Sequence, residues 1–307
     1  MSTSNLLRVP VIFLLAAVLA YGCGTNSDSA SPTPVPTPTR SGPAHGKAVT
    51  TLPLFAYWLH IVGDQRIDIF SLVPPGQGTH GLTATDIDLS VLGDEALVLY
   101  NGAGLEDGFE EALFENKRRG SQIIPYSIDI PSPTNPDTNA LDAGDDPHLW
   151  LDPLLAFTYL DTTWDSLTII DGDGRNTYRS NARAYQEQLT ALNEEIVEVL
   201  AVVPEDRRLL VTYHDSFEHF ARRYGFEIAG VVTETAAEDL SQTITDESIP
   251  AVFAEYGFDD AAIEEIAEEA GVELCLLYSD VLSDEVPSYI EMMRHNAQEI
   301  ARCLGAG

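Results

Sequence analysis

Residues 145–153 read DDPHLWLDP, a histidine held between acids and prolines. Three other side chains with donor atoms occupy comparable positions. His80 follows SLVPPGQGT, His214 ends LLVTYH, and Asp280 ends LCLLYSD. Each lies in a loop beyond an apolar run that reads as a strand, and ligands bind at the carboxyl ends of strands in open α/β sheets. Successive members stand 68, 66 and 66 residues apart. Three imidazoles and one carboxylate form a donor set suited to tetrahedral Zn(II). Mn(II) prefers more oxygen, and the natural affinity order places Zn(II) above it at such a site. A single loop histidine is more often structural, so the weight rests on the joint placement. His45 falls in a linker, and His60 and His295 fall inside expected helices. His219 follows His214 by five residues, which is neither the H-E-x-x-H spacing nor one helix face.

Four dispersed loops need a scaffold that gathers them. From residue 48 onward, apolar runs of strand type alternate with helical patterns: KAVTTLPLF, RIDIFSLV, ALVLYN and SQIIPYS as strands, with AYWLHIVGD, TATDIDLSVLGD and FEEALFENK as helices. Such alternation implies βα units around parallel sheets. The glycines of NGAGLEDG do not fit the G-x-G-x-x-G dinucleotide pattern and are read as backbone turns. In the stretch from Arg175 to Val203, apolar or small residues recur at Tyr178, Ala182, Tyr185, Leu189, Leu192, Ile196, Val199 and Val203. Steps of four and three mark one long helix. The βα pattern resumes with RRLLVTY, FEIAGVV, PAVFAEY and VELCLLY as strands, and SYIEMMRHNAQEIARCL closes the chain as a helix. The expected fold is α/β. It has two lobes, 48–172 and 204–307, each a mainly parallel sheet flanked by helices, joined by one long backbone helix over 173–203.

The bulk numbers restrict the partners. The chain of 307 residues carries 16 Lys+Arg against 49 Asp+Glu, a formal net charge of -33. That surface repels nucleic acid and anionic lipid and attracts cations. Its acids are dispersed, which also fits plain solubility. Arg8 followed by VPVIFLLAAVLA reads as a signal peptide over residues 1–22, because twelve apolar residues are too few to span a bilayer. The following YGCGTNSDS resembles a lipoprotein cleavage box, with lipidation at Cys23; Tyr21 is unusual there, and plain secretion is the alternative. Residues 23–47 then hold the lipidated cysteine and a Pro/Ser/Thr linker, an extended spacer between membrane and lobes. The expected location is outside the cytoplasmic membrane, facing the periplasm or cell exterior. In that oxidising setting Cys275 and Cys303 are expected to form a disulfide, the alternative being two buried thiols.

VTTLPLFAYWLHIVGDQRIDIFSLVPPGQGTH, LVLYNGAGLE, DPHLWLDP, YHDSFEHFARRYG and SYIEMMRHN together resemble the periplasmic metal-binding proteins of zinc and manganese ABC transporters, the cluster A-I solute-binding proteins. The resemblance covers nearly all of residues 48–304. It implies one metal ion in a cleft between two lobes, bound by His80, His148, His214 and Asp280, and passed to an ABC permease. It also implies a binding protein and not an enzyme. Histidine at position 214 favours zinc, since members with glutamate there lean towards manganese. The first loop departs from the family's usual DPHxYEPxPxD: this chain has GTHGLTATD, which keeps His80 and Asp86 in place but alters their surroundings. The His-rich loop of many zinc-specific members is absent, and the stretch from Val231 to Tyr256 is shortened.

Each ligating imidazole needs an acceptor for its second ring N–H. Asp145, Asp146, Asp152 and Asp215 are the candidates. The expected function is capture of Zn(II) by a monomeric, lipid-anchored binding protein, with Mn(II) as the alternative cargo. A secreted zinc hydrolase is the competing class. It would need an open coordination position and a general base, and four protein donors leave no such position.

Overall fold

The computed structural model describes residues 44–93, 96–128, 130 and 145–305. The expected signal peptide and the lipidation site at Cys23 lie outside the described residues, as does most of the linker. No helix among the described residues is long and apolar enough to cross a membrane.

The first lobe runs β1 (Gly46–Thr50), α1 (Pro53–Gly63), β2 (Ile67–Ser71), β3 (Leu97–Tyr100), α2 (Glu110–Glu115), β4 (Gln122–Pro125) and α3 (Ala156–Ile170). A long helix, α4 (Arg175–Leu200), follows. The second lobe runs β5 (Leu209–Thr212), α5 (Glu218–Tyr224), β6 (Glu227–Val231), α6 (Ala237–Asp246), β7 (Ala251–Glu255), α7 (Ala261–Ala270), β8 (Glu273–Leu277) and α8 (Tyr289–Gly305). The strand orders are β2-β1-β3-β4 and β6-β5-β7-β8, all pairs parallel. Both lobes therefore share one topology. In each, the chain reverses its direction across the sheet beside the first strand, which opens a crevice at the carboxyl ends.

The two-lobe α/β architecture agrees with the sequence reading, and local details differ. β1 begins at Gly46, inside the segment expected as linker, and the backbone N–H of His45 already donates to the Arg66 carbonyl. TATDIDLSVLGD forms only a 3-10 turn at Leu89–Val91, where the Asp88 carboxylate accepts from the Ser90 N–H. α3 was not anticipated.

α4 buries the expected stripe of Tyr178, Ala182, Tyr185, Leu189, Leu192 and Ile196. It packs on α1 and α3 of the first lobe and on α8 of the second. The main core is continuous across the lobes, from Phe55, Trp58, Trp150 and Tyr159 to Phe217, Tyr289 and Met292. Trp58 and Tyr289, on opposite lobes, stand 5.4 Å apart at their ring centres. Each buried aromatic ring removes about 150–250 Å² from water, so separating the lobes would expose much apolar surface. The lobes are thus fixed in one relationship, and the cleft is largely preformed. Cys275 on β8 and Cys303 on α8 are joined by a disulfide.

Candidate metal centre

His214 stands two residues beyond β5, and Asp280 three beyond β8. His148 precedes the buried 3-10 turn Leu149–Leu151, and His80 lies in the long loop after β2. The four side chains converge between the lobes, with one donor atom from each within 4.8 Å of every other. The Nε2 atoms of His80 and His148 are 2.9 Å apart, and those of His148 and His214 are 3.3 Å apart. Asp280 places Oδ2 3.7 Å from Nε2 of His80 and Oδ1 3.7 Å from Nε2 of His148. Donors at about 2.0 Å from a tetrahedral Zn(II) are separated by about 3.3 Å, so these spacings match the edges of one coordination shell.

Burial sharpens the point. His148, His214 and Asp280 are buried, while the His80 side chain keeps 38% exposure. Among the described residues, neither oxygen of Asp280 meets a hydrogen-bond partner. A buried carboxylate without hydrogen bonds is costly unless a cation compensates it. Three imidazole edges face it, and each can offer a lone pair only when its other nitrogen carries the proton.

The far side of each ring explains how that tautomer is held. Nδ1 of His148 lies 2.7 Å from Oδ1 of Asp146, which also accepts the His148 backbone N–H at 2.8 Å. Nδ1 of His214 lies 3.0 Å from Oε2 of Glu255, whose Oε1 accepts the His214 backbone N–H. Asp146 therefore orients Nδ1–H of His148, and Glu255 sets a carboxylate beside Nδ1 of His214, which turns both Nε2 atoms to the cleft. Burial raises the Asp146 and Glu255 carboxyls, and the facing histidines outweigh it, leaving both below the ordinary range. Burial works against a charge on His148, but Asp146, then Asp280 and Glu255, carry its ring up to about 9. Burial lowers the His80 ring, against the pull of Asp280.

Of the four acids considered as acceptors, Asp146 holds a ligand candidate. Asp152 instead binds Arg223. Asp215 is raised to about 6 by burial and then by Asp146. Glu255 was missed; its signal is an acid ending the fully buried strand β7, beside β5. Asp86 is exposed and caps a turn through the N–H and hydroxyl of Thr83. His219, set aside on spacing, is buried behind the centre, with Nε2 2.8 Å from the Asp146 carbonyl. His60 and His295 stay outside it, His295 bonding to the Leu276 carbonyl.

The NGAGLE loop supports the His148 segment. The Glu106 carboxylate accepts the backbone N–H groups of Asn101 and Gly102 and the Thr51 hydroxyl. The Asn101 amide in turn donates to the Pro147 carbonyl at 2.9 Å. Gly102 takes φ +75°, and a Cβ there would lie 2.6 Å from the Ser127 hydroxyl, so this turn needs glycine. Trp150 donates its indole N–H to the Ser279 carbonyl, tying the first-lobe segment to the loop that carries Asp280.

The profile of the family described as ZnuA, zinc-uptake complex component A periplasmic, matches residues 48–303. The chain is 29% identical over 287 residues to the zinc-binding protein TroA of Treponema pallidum, covering 86% of this chain and 91% of that protein. It is 27% identical over 298 residues to the manganese-binding lipoprotein MntA of Halalkalibacterium halodurans, covering 93% and 94%. The solved structure of the T. pallidum periplasmic zinc-binding protein TroA superposes with a TM-score of 0.75 at 28% identity, over 84% of this chain and 99% of that one.

Proposed function

We propose, for a chain that belongs to the ZnuA family of periplasmic zinc-uptake components, that it captures Zn(II) outside the cytoplasmic membrane and delivers it to the permease of an ABC transporter. This is a family of solute-binding transport proteins, not enzymes. The ion is cargo. His80, His148, His214 and Asp280 are its ligands, two from each lobe. One observation carries the reading: among the described residues the buried Asp280 carboxylate lacks a hydrogen bond, and it faces imidazole nitrogens of His80 and His148 at 3.7 Å with His214 in the same cluster. Four donors with three nitrogens suit Zn(II). They also leave no open position for a catalytic water, which argues against a zinc hydrolase.

Mn(II) is the second reading. Both Asp280 oxygens turn towards the rings, and bidentate binding would add the oxygen that Mn(II) favours. Cys23 is the lipid attachment, and the acidic surface makes that anchor, rather than a basic patch, the membrane contact. The working unit is a monomer with no nucleic-acid partner.

The test is elemental analysis of protein purified without added metal, followed by competition of Zn(II) against Mn(II). Zinc in near-stoichiometric amount and displacement of Mn(II) by Zn(II) are expected. Protein that binds neither ion overturns the proposal. Protein that prefers Mn(II) moves the assignment to the second reading.

A further inference from the structure

We infer that helix α5 of the second lobe is a clamp that positions His148, a residue of the first lobe, through His219 and Arg223. The inference rests on the reading of His148 as a metal ligand.

His219 and Arg223 lie four residues apart, one turn along α5, and so face the same way. They grip the two ends of one first-lobe segment. His219 is 2% exposed, and its Nε2 stands 2.8 Å from the backbone carbonyl of Asp146. A carbonyl only accepts, so Nε2 carries the hydrogen and donates. Arg223 donates from Nε to Oδ2 of Asp152 at 2.8 Å, with a terminal nitrogen 2.7 Å from the same oxygen. Between these grips lie His148 and the turn Leu149–Leu151, against which α5 packs.

The consequence is geometric. Asp146 orients His148 twice, through its backbone N–H and through Nδ1. His219 fixes the carbonyl of that same Asp146. His214 sits four residues ahead of the first residue of α5. One short segment, 214–223, therefore carries a ligand of the second lobe and both grips on a ligand of the first. It sets the 3.3 Å separation between the Nε2 atoms of His148 and His214. Ion pairs of partly exposed residues add little to stability. Arg223, with a side chain 34% exposed, earns its position by fixing geometry. His219 and Arg223 are positioning residues, since neither offers an atom to the cleft.

The experiment uses the mature chain and Co(II), whose visible absorption reports coordination geometry. Wild type, His219→Phe, His219→Gln and Arg223→Met are titrated with Co(II), and the bound ion is competed with Zn(II). His219→Phe is expected to weaken binding about tenfold, the low end for losing a group that orients a metal ligand, and to alter the Co(II) band. His219→Gln retains an N–H donor for the Asp146 carbonyl and is expected to restore both affinity and band. Arg223→Met is expected to change the band with a smaller loss, because Asp152 also accepts the Leu154 N–H. His219→Phe with wild-type affinity and band overturns the clamp. Should His219→Phe fail to fold, an unchanged band in Arg223→Met overturns it instead. Wild-type protein with no Co(II) band removable by Zn(II) sinks the ligand assignment itself, and the clamp with it.

Discussion

Oδ1 of Asp280 stands 3.7 Å from Nε2 of His148, across the boundary between the lobes, and neither oxygen of that carboxylate accepts a hydrogen bond among the described residues. Asp280 thus supplies charge to the cleft without serving the fold around it. Asp280→Ala is expected to weaken Zn(II) binding on the order of a hundredfold, since the only anionic donor is lost in a desolvated site. The metal-free variant should melt within a few degrees of wild type. Wild-type protein should gain about 4 kcal/mol at a thousandfold excess of Zn(II) over Kd, and Asp280→Ala little at the same concentration. Scanning calorimetry with and without Zn(II) checks both. A variant that keeps the full zinc-induced shift would remove Asp280 from the ligand set.

Proton competition gives a second prediction. In the metal-free fold, Asp146 and its acidic neighbours hold His148 up to about 9, against about 6.5 for an unfolded histidine. The group's stabilising effect is therefore complete below about pH 6.5 and is lost as pH rises through about 9. Zn(II) must displace that proton. Between those limits, capture should release about one proton, and apparent affinity should rise about tenfold per pH unit. Chelator competition at about pH 7 and 8, with a pH indicator in weak buffer, measures both. Flat affinity and no proton release would contradict the assignment of His148.

The disulfide makes a separable contribution. Cys275 and Cys303 are separated by 28 residues, and a cross-link closing a loop of that size adds about 3–4 kcal/mol by restricting the unfolded chain. Replacing both with serine should lower urea stability by about that amount. Zn(II) affinity should change by less than about threefold, because other groups hold the Asp280 loop. Asn296 on α8 bonds both the N–H and the carbonyl of Tyr278, and Trp150 bonds the Ser279 carbonyl. A parallel collapse of stability and affinity would mean that the bridge positions Asp280 directly.

How much of this was legible in the sequence depended on whether an interaction follows chain order. The strands were legible because short apolar runs end in polar residues, and His214 and Asp280 mark those ends. α4 was legible because its stripe is apolar throughout. α3 was not, because its buried face includes Thr163 and Ser166 among Ala156, Tyr159, Leu160 and Leu167. β-branched and aromatic residues also give it weak helix propensity. The roles of Glu255 and His219 were missed for another reason. Glu255 reaches His214 because β7 lies beside β5, and His219 reaches Asp146 because α5 packs across the lobes. Neither relation leaves a mark in residue spacing.

The His80 loop supplies the last prediction. It crosses from the first lobe onto the second, and at Gly78 it lies against Asp280. A Cβ at that position would stand 3.0 Å from Oδ2 of Asp280, 3.4 Å from its Cβ and 3.6 Å from the ring of Phe258. Nothing there gives way easily, since Asp280 is buried and the Phe258 ring leans on His214 at 4.6 Å. Gly78→Ala should lift the loop and withdraw His80, weakening Zn(II) binding about tenfold. His80→Ala should cost about the same, and less than His148→Ala, because His80 is the exposed ligand on a segment without regular structure. If Gly78 acts by seating His80, the double variant should bind no more weakly than His80→Ala alone. Chelator competition on the two single variants and the double closes this cycle. Losses that add in full would show that Gly78 acts through Asp280 and not through the His80 loop.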